Sequence, residues 1–276
     1  MTLYIIGMGL GKADITTKAV IALKDCEEIY LENYTSILDY DVAKLPLLRD
    51  KKFVIADRDI VEKAPEPMLE SALNNNVAFL VPGDPFSATT HADLMFRARE
   101  MGVDVKVIHG ISILTAVGVT GLSLYKFGKV SSIVFPDEKW MPETPYNAIK
   151  DNKKTGLHTL LLLDIKVKEQ SREDLKKGVK KYQESRFMTV SQGIDYLLEI
   201  EKHRKEDVFT KETMVVACAR LGTESEKIVY GKIEEVKKVD IGGPLHCLIV
   251  PGDLHFMEEE LLNHYKLEKD ESETKH

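Results

Sequence analysis

Two glycine-rich turns carry the residues of this 276-residue chain that are best placed to do chemistry. The first is Gly7-Met8-Gly9-Leu10-Gly11, and the second is Gly83-Asp84-Pro85. Each turn follows a short apolar run that suits a buried strand. Glycine permits positive φ and lets backbone amides approach a ligand. Ligands of open α/β sheets bind beyond the carboxyl ends of strands, so the two turns predict one shared crevice.

Asp84 is the most informative residue of the second turn. Its neighbours Gly83 and Pro85 constrain the backbone, and its carboxylate could accept hydrogen bonds from a ribose or an amino group. The alternative is a simple turn in which Asp84 caps its own backbone. Four polar side chains that follow favour a binding site, namely Ser87, Thr89, Thr90 and His91.

A dinucleotide site is the rival interpretation of the first turn. The pattern Gly7-x-Gly9 with the acidic Glu32 at the end of the next apolar run resembles an NAD fingerprint. Against it, the third glycine is not at the proper place, and residues 12–17 separate the glycines from the following helix. No constellation for hydride transfer accompanies the pattern either.

Alternating strand and helix patterns must position these turns. In the first half, strands are predicted at 3–6, 28–31, 52–56, 76–81 and 105–108, with a helix capped by Thr16 or Thr17 and another over 88–101. Such alternation predicts βαβ units and a mostly parallel sheet.

The second half of the chain begins with a buried helix that Ser112 could cap, and further strands and helices complete a second sheet. Predicted strands lie at 131–135, 159–164, 214–220, 228–231 and 247–250, predicted helices at 171–181 and 190–202, and a Pro- and Trp-containing loop at 136–145. We therefore expect an α/β fold with an N-terminal domain over 1–111, a second α/β domain over 112–262 and a charged tail over 263–276.

Composition excludes several classes of protein. A net charge of −7 is unfavourable for a nucleic-acid binder, which needs clustered cations. The three cysteines, Cys26, Cys218 and Cys247, lack metal-ligand spacing, so we expect no metal and reduced thiols. No apolar run reaches the ~18 residues of a membrane span, and the N-terminal run is too short for a signal peptide. We expect a cytoplasmic protein with no nucleic-acid or membrane partner.

Several strings together carry a resemblance to a known family. They include L-Y-I-I-G-M-G-L-G at 3–11, Y-L-E-N-Y-T-S at 30–36, F-L-V-P-G-D-P-F-S-A-T-T-H at 79–91, L-D-I-K-V-K-E-Q at 163–170 and G-P-L-H-C-L-I-V at 243–250. Over roughly residues 1–256 the chain resembles the diphthine synthase family of the tetrapyrrole-methylase-like superfamily. The string at 163–170 is similar to the eukaryotic branch, the diphthine methyl ester synthases.

The resemblance implies a fold and an activity. The fold would be two α/β domains of the tetrapyrrole-methylase type with the cofactor in the cleft between them. S-adenosylmethionine would donate methyl groups and leave as S-adenosylhomocysteine. The acceptor would be the 3-amino-3-carboxypropyl-histidine of translation elongation factor 2, whose amine is trimethylated and, in the eukaryotic branch, whose carboxylate is also esterified. A homodimer is implied as well.

The resemblance also implies cofactor contacts at matching positions, which are Leu10, Asp84, Ser87, Ser112, Ile113, Leu163, Leu221 and His246. Residue types alone suggest purely structural roles for some of them. Ile113 and Leu163 would be core residues, Ser112 a helix cap, and His246 a satisfied core histidine.

The sequence identifies no catalytic base. His91, His109 and Asp164 are candidates by location only. Trp140, Tyr125 and Phe127 could face a methylated ammonium through their rings, or could simply pack in the core. Another methyltransferase of the superfamily, acting on a tetrapyrrole or on ribosomal RNA, and a non-enzymatic binding module on the same fold remain the alternatives.

Overall fold

The computed structural model describes residues 1–137, 140–167 and 183–267. These residues form two compact units. The first comprises Met1–Ala116 and Gly222–Glu224 with 166–167 and 183–185, and the second comprises 117–137, 140–165, 186–221 and 225–267. The division falls between Ala116 and Val117, whereas the boundary at 111/112 stays a prediction. The predicted helix at 171–181 lies outside the described residues.

The first unit contains a five-stranded, wholly parallel sheet in the order β3-β2-β4-β1-β5. Its strands are β1 (Thr2–Gly7), β2 (Glu28–Glu32), β3 (Lys52–Ala56), β4 (Val77–Val81) and β5 (Asp104–Ile108). Every residue of the central β4 is buried. Parallel strands covered on both faces need such continuous apolar runs, and the strands predicted for this half are confirmed.

Helices cover both faces of that sheet, and they are α1 (Thr17–Lys24), α2 (Glu66–Asn74), α3 (Ala92–Glu100) and α4 (Ile113–Ala116). The Thr16 side chain caps α1 by accepting a hydrogen bond from the Ala19 amide, as predicted. One apolar cluster lies between the sheet and α1, and a second lies between the sheet and α2 with α3. We call these two sides the α1 face and the α2/α3 face.

The second unit has a mixed sheet in the order β11-β10-β12-β7-β6. Its strands are β6 (Ser131–Ile133), β7 (Thr159–Leu163), β10 (Met214–Ala219), β11 (Lys227–Lys232) and β12 (His246–Val250), while β8 (Ile165–Lys166) pairs with β9 (Arg186–Phe187). Only the β6–β7 pair of this sheet is parallel, so the mostly parallel arrangement predicted from the first half of the chain does not extend to this unit. Residues 220–226 join β10 to β11 directly, too short a connection for the crossover that parallel strands require.

The helices of the second unit are α5 (Thr144–Lys153), α6 (Val190–Arg204), α7 (Ile233–Val236) and α8 (Phe256–Asn263). The predicted loop at 136–145 therefore ends in a helix. Pro145 lies in the first turn of α5, where a missing amide costs no hydrogen bond. Beyond α8, Tyr230 donates to the Tyr265 carbonyl and accepts from the Leu267 amide, so the tail predicted from 263 is paired through 267. Its remainder lies outside the described residues.

A buried carboxylate fixes α8 within the second unit. Glu258 is 2% exposed and accepts hydrogen bonds from the Ser123 amide, the His255 amide, Lys126 Nζ and His158 Nε2. His158 is fully buried, and its Nδ1 accepts from the Gly252 amide at 2.9 Å. Burial opposes ionisation of Glu258, but these donors hold its pKa far below the usual range. We call this group the Glu258 clamp.

Within the described ranges, no helix has the length and apolar character needed to cross a bilayer.

Candidate binding site at the carboxyl edge of the first sheet

The ends of three neighbouring strands, β4, β1 and β5, build this edge of the first unit. The two glycine turns are hydrogen-bonded to each other, because Gly9 N donates to Gly83 O at 3.1 Å and Gly83 N donates to Gly9 O at 2.8 Å. Met8 N also donates to Val81 O. The prediction that both turns meet at one edge of one sheet is confirmed.

Glycines close the base of the edge by packing backbone against backbone. A Cβ on Gly110, in the turn after β5, would lie 2.4 Å from the Gly83 oxygen. A Cβ on Gly7 would lie 2.5 Å from the Gly110 nitrogen. Gly83 itself has φ +74°, and a Cβ there would meet nothing closer than 3.8 Å. The edge is therefore tight at its base, whereas a Cβ at Gly83 would make only ordinary van der Waals contacts with Ile111 and Leu10.

Asp14 occupies the amides that the first turn would otherwise offer to a ligand. Its Oδ2 accepts from Leu10 N at 2.9 Å and from Gly11 N at 2.7 Å. A phosphate-binding loop needs such amides free to point at the anion. The first turn therefore cannot cradle a pyrophosphate. The Leu10 side chain lies beside Gly222, 3.1 Å from the position of a Cβ there.

The Asp84 carboxylate joins the turns after β4 and β5. Its Oδ1 accepts from Phe86 N at 2.9 Å and Ser87 Oγ at 3.1 Å, and its Oδ2 accepts from His109 Nδ1 at 2.7 Å and Gly110 N at 3.3 Å. Burial opposes ionisation, but hydrogen bonds led by the Phe86 amide and His109 lower the pKa of Asp84. The side chain thus caps its own turn and also cross-links two turns, with all four acceptor positions used.

Ser112 and Ile113 follow the third turn of the edge. Ser112 is buried, and its Oγ accepts from the Leu114 amide at 3.0 Å, so the predicted helix cap is confirmed. The buried helix predicted there is confirmed only in part, since α4 has no fully buried residue, whereas the 3₁₀ helix Val117–Thr120 that follows it in sequence buries Val117 and Thr120. Ile111, at the same turn, is 44% exposed. The short helix leaves this side of the edge accessible.

The histidines near the edge differ sharply in exposure. His91 is 1% exposed, its Nδ1 lies 3.1 Å from the Pro85 carbonyl oxygen, and its ring packs edge-to-face on Phe79. Burial lowers the pKa of His91, so the ring is a neutral packing element. The His109 side chain is 71% exposed. Asp164, the third base candidate, belongs to the second unit and accepts from the Phe135 amide at 2.8 Å.

Glu32 does not fit the role of a ribose ligand. Strand β4 lies between β2 and β1, so Glu32 is not next to the first glycine turn. Its carboxylate is buried and accepts from the amides of Tyr34 at 2.9 Å and Thr35 at 2.6 Å. Burial raises the pKa of Glu32. The dinucleotide alternative therefore lacks both a ribose acceptor and free amides for its phosphates.

Three predicted contacts lie in the second unit. Leu163 and Leu221 are buried, and Leu163 belongs to the core of that unit. His246 Nε2 lies 3.0 Å and 2.9 Å from the carbonyl oxygens of Gly242 and Gly243, so Nε2 carries the proton. His246 Nδ1 is buried without a hydrogen-bond partner among the described residues. The expected satisfied histidine therefore keeps a free acceptor, and burial lowers its pKa.

The three aromatic candidates also differ. Phe127 packs edge-to-face on the buried His158, with ring centroids 5.4 Å apart, and so has a packing role. Tyr125 and Trp140 are 93% and 55% exposed.

Sequence reasoning missed Asp14 and the packing role of Gly110. The spacing Gly11-x-x-Asp14 could have revealed the role of Asp14, because aspartate often bonds backbone amides of a nearby turn. Nothing in the sequence reveals the packing role of Gly110, which depends on contacts between three turns. In the described part of the chain, no group of three or more His, Cys, Asp or Glu side chains is arranged to hold a metal ion.

A parallel sheet with interlocked glycine turns, followed by a mixed-sheet unit, is an α/β architecture whose first turn does not fit a dinucleotide enzyme. The model of the tetrapyrrole (corrin/porphyrin) methylases matches residues 2–237, and the chain belongs to this family.

Named relatives are similar over nearly the full length. The chain is 47% identical to diphthine methyl ester synthase of Dictyostelium discoideum over 98% of this chain and 100% of that protein. It is 46% identical to diphthine methyl ester synthase of Homo sapiens, over 99% and 98%. A solved structure from Entamoeba histolytica, assigned as a diphthine synthase, superposes with a TM-score of 0.83 at 42% identity, covering 97% of this chain and 99% of that one.

Proposed function

We propose that this chain is a diphthine methyl ester synthase that transfers methyl groups from S-adenosylmethionine to the 3-amino-3-carboxypropyl-histidine of elongation factor 2. Three methyls would go to the amine and one to the carboxylate. The observation that carries the proposal is 47% identity to a relative of that name over 98% of the chain. A methyltransferase of the tetrapyrrole methylase family also needs a methyl donor, and the first sheet offers a fitting edge.

The edge suits a nucleoside that carries no phosphate. The first turn has its amides occupied by Asp14, which is compatible with adenosine and unfavourable for a pyrophosphate. Gly83 leaves the backbone of the second turn uncrowded beside the Leu10 side chain, since a Cβ there would meet nothing closer than 3.8 Å. We propose donor contacts at Leu10, Asp84, Ser87, Ser112 and Ile113 in the first unit. Because the Asp84 carboxylate is fully bonded within the protein, its contact would be through the backbone of the turn.

In the second unit we propose donor contacts at Leu163, Leu221 and His246. His246 is the best supported, because its buried Nδ1 is an acceptor without a partner among the described residues. Buried polar groups in proteins are nearly always paired, so an N–H or O–H of a ligand would satisfy it.

The sulfonium of the donor supplies an already activated methyl group. The protein must therefore align the acceptor, exclude water and let the amine react in its neutral form. We propose that no single base is indispensable. His91 is buried and neutral, with Nδ1 at Pro85 O and Nε2 3.5 Å from the Tyr34 hydroxyl. His109 is exposed to solvent, and water there can accept the proton that the acceptor amine loses.

The exposed rings of Tyr125 and Trp140 are proposed to face the trimethylammonium product, because cations bind to aromatic faces. Removing Trp140 alone would test this. Unchanged methyl counts and rates in Trp140→Ala would show that Trp140 does not contribute to binding the methylated product.

Elongation factor 2 is the proposed protein substrate, and the cytoplasm is the proposed location. We also propose a homodimer, with no nucleic-acid or membrane partner. Light scattering of the purified protein tests the oligomeric state directly, since a monomer at micromolar concentration would contradict it.

Mass spectrometry of the modified factor tests the proposed activity. Elongation factor 2 bearing the aminocarboxypropyl-histidine is incubated with this protein, with and without S-adenosylmethionine. A gain of four methyls that depends on the donor is expected. A gain of three would restrict the reaction to the amine, and no gain would refute the proposal. Transfer to a tetrapyrrole in a parallel reaction would favour the other branch of the family.

Single replacements of His91, His109 and Asp164 test the absence of an indispensable base. Each variant should keep measurable transfer provided that it still binds the donor in calorimetry. Complete loss of transfer with intact donor binding in any of them would identify a base and contradict this part of the proposal.

A further inference from the structure

One carbonyl of the loop that follows β4 accepts two side-chain hydrogen bonds. The loop covers residues 83–91, up to the start of α3, and we call it the β4 loop. The carbonyl is that of the buried Pro85, and it accepts from the Thr89 hydroxyl and from His91 Nδ1, the latter at 3.1 Å. Proline has no amide, so this oxygen is the only backbone group through which Pro85 can be held. The β4 loop is therefore closed on itself by side chains.

The two contacts of His91 fix which ring nitrogen carries the proton. A carbonyl oxygen can only accept, so Nδ1 must donate to Pro85. Nε2 of the neutral ring is then an acceptor, and it lies 3.5 Å from the Tyr34 hydroxyl, which can donate. Burial lowers the pKa of His91, so the ring is neutral, as this arrangement requires. Both nitrogens have a defined partner, which packing alone would not need.

Tyr34 links His91 to the end of β2. The Tyr34 amide donates at 2.9 Å to the buried carboxylate of Glu32, the last residue of β2. The His91 ring packs edge-to-face on Tyr34 and on Phe79 of β4, with ring centroids 6.3 Å and 5.1 Å apart. β2 and β4 are hydrogen-bonded neighbours in the sheet. His91 is therefore fixed from the side of the sheet and can hold the β4 loop against it.

The β4 loop contains a strained residue between these hydrogen bonds. Ala88 has φ +60°, a left-handed conformation that residues with a Cβ rarely adopt. Such a conformation persists only where the surroundings hold it. The bonds from Thr89 and His91 back to Pro85 span Ala88, while the Asp84 carboxylate caps the turn before it. The backbone of the loop is thus fixed at two points, one of which is the Pro85 carbonyl.

The proposed donor contacts at Asp84 and Ser87 come from the β4 loop. Because the Asp84 carboxylate is already bonded within the protein, a ligand would meet backbone groups, whose positions depend on how the loop is held. We infer that His91 is a positioning residue, whose Nδ1–H holds the Pro85 carbonyl and thereby keeps the β4 loop in the shape that receives the nucleoside of the methyl donor. The inference rests on the proposed function. It goes beyond packing, since a ring without nitrogens would fill the same space and leave the carbonyl to Thr89 alone.

Two replacements of His91 separate the hydrogen bond from the ring. His91→Phe keeps an aromatic ring against Phe79 but has no nitrogen. His91→Asn loses the ring but keeps an N–H in a similar place, because asparagine Nδ2 is bonded to Cγ as Nδ1 is in histidine. Calorimetry measures the affinity of S-adenosylhomocysteine for the full-length wild type and for both variants, and thermal melts measure their stability.

A change at the second donor to the carbonyl gives an independent measurement. Thr89→Val removes the hydroxyl that bonds Pro85 and keeps the shape of the side chain. Thr155→Val is the matched control, because the Thr155 hydroxyl also donates to a backbone carbonyl, that of Asn152, but does so after α5 in the second unit. Both variants are measured with the same ligand and the same melts.

In the positioning role, affinity follows the hydrogen bond and stability follows the ring. We expect His91→Phe to weaken S-adenosylhomocysteine about tenfold, whereas His91→Asn stays within about threefold of the wild type. His91→Asn should nevertheless melt at the lower temperature of the two, because asparagine leaves a cavity where the ring was. Thr89→Val should weaken binding about threefold, and Thr155→Val should not change it.

The inference is overturned if His91→Asn loses at least as much affinity as His91→Phe, which is what a packing role predicts. It is also overturned if neither variant changes the affinity. Failure of the proposed function looks different, because the wild type itself would then bind no S-adenosylhomocysteine.

Discussion

Each unit contains a nearly buried carboxylate held by four donors, one of them a histidine. In the first unit, Asp84 bonds His109, whose side chain is 71% exposed. In the second, Glu258 bonds His158, which is fully buried. Hydrogen bonds outweigh burial in both and lower both pKa values. The local chemistry is nearly the same, while the surroundings of the histidine differ completely.

This difference separates a binding edge from a structural clamp. In the Glu258 clamp both the carboxylate and the histidine are enclosed, and the hydrogen bonds fix α8. At the Asp84 edge, the histidine is open to solvent. A saturated buried carboxylate does not by itself indicate a functional site. The exposure of its partners is the informative observation.

The sharpest test of the edge is Gly110→Ala. Its Cβ would lie 2.4 Å from the Gly83 oxygen and 2.8 Å from the Gly7 carbonyl carbon, and backbone atoms cannot move aside cheaply. We expect the free energy of unfolding to fall by roughly 4 kcal/mol, with donor binding lost. Denaturant unfolding measures this. In Gly243→Ala the new methyl meets no atom within 4 Å, so this control should change little. Equal effects in both variants would contradict the packing argument.

Breaking the Glu258 clamp should lower the free energy of unfolding somewhat less than Gly110→Ala does. Glu258→Gln removes the charge opposite Lys126, and its amide N–H₂ replaces one of two oxygens that each accept from two donors. We expect a loss of about 3 kcal/mol in unfolding free energy. Donor affinity measured by calorimetry should be unchanged in the folded fraction. A large loss of affinity with intact stability would reverse the distinction drawn between the two carboxylates.

The clamp should also make the protein sensitive to acid. Burial lowers the pKa of His158 from 6.5, and hydrogen bonds lower that of Glu258 from 4.5, so the unfolded state binds protons more readily at both groups. Their contributions are complete above pH 6.5 and 4.5 respectively, and are lost as the pH falls below those values. The melting temperature should decline from about pH 6 downward, with a shallower slope below pH 4.5 in Glu258→Gln. A flat profile in the wild type would contradict this.

Asp84→Asn tests the cross-link between the turns. The amide can still accept from Phe86 and Ser87, but its N–H₂ then faces the Gly110 amide and His109. We expect unfolding free energy to fall by about 1–2 kcal/mol and, because the backbone of the turn that contacts the donor is displaced, S-adenosylhomocysteine to bind about tenfold more weakly. Asp104→Asn, which loses an exposed charge at the amino end of the same sheet, is the matched control. Unchanged binding in Asp84→Asn would leave the carboxylate without a role in the site.

The smallest effect is expected for His109→Ala. Its exposed ring contributes one hydrogen bond, so unfolding free energy should change by less than about 0.5 kcal/mol. The corresponding change at the enclosed His158 should cost several times more. Parallel thermal melts of the two variants test the contrast between the carboxylates directly. Similar losses would show that exposure of the partner is not the deciding property.

The sequence predicts the first unit well because its strands are continuous apolar runs bounded by glycine or proline. β3 is predicted at its observed bounds, and β1, β2, β4 and β5 within a residue or two. Prediction fails where tertiary context decides. The antiparallel pairing of β10 with β12 involves strands far apart in sequence, and periodicity does not specify strand direction.

For the candidate site, sequence alone locates the two turns and the Asp84 position. It cannot specify which amides Asp14 occupies, although the spacing Gly11-x-x-Asp14 indicates that this side chain can bond the first turn. Nor can it show that His246 Nδ1 is left without a partner among the described residues, since pairing is a property of the packed structure. The predicted contacts of the site remain predictions until ligand binding is measured.

The reciprocal pair of hydrogen bonds between Gly9 and Gly83 has a consequence for ligand entry. Neither turn can swing outward alone, because each is the other's partner. The edge is therefore preorganised, and the entropy of ordering these turns is lost during folding rather than at the moment of binding. We expect the amides of Gly9 and Gly83 to exchange with deuterium at the slow rate of the core strands, with or without ligand, and any adjustment to a ligand to occur in the side chains around them.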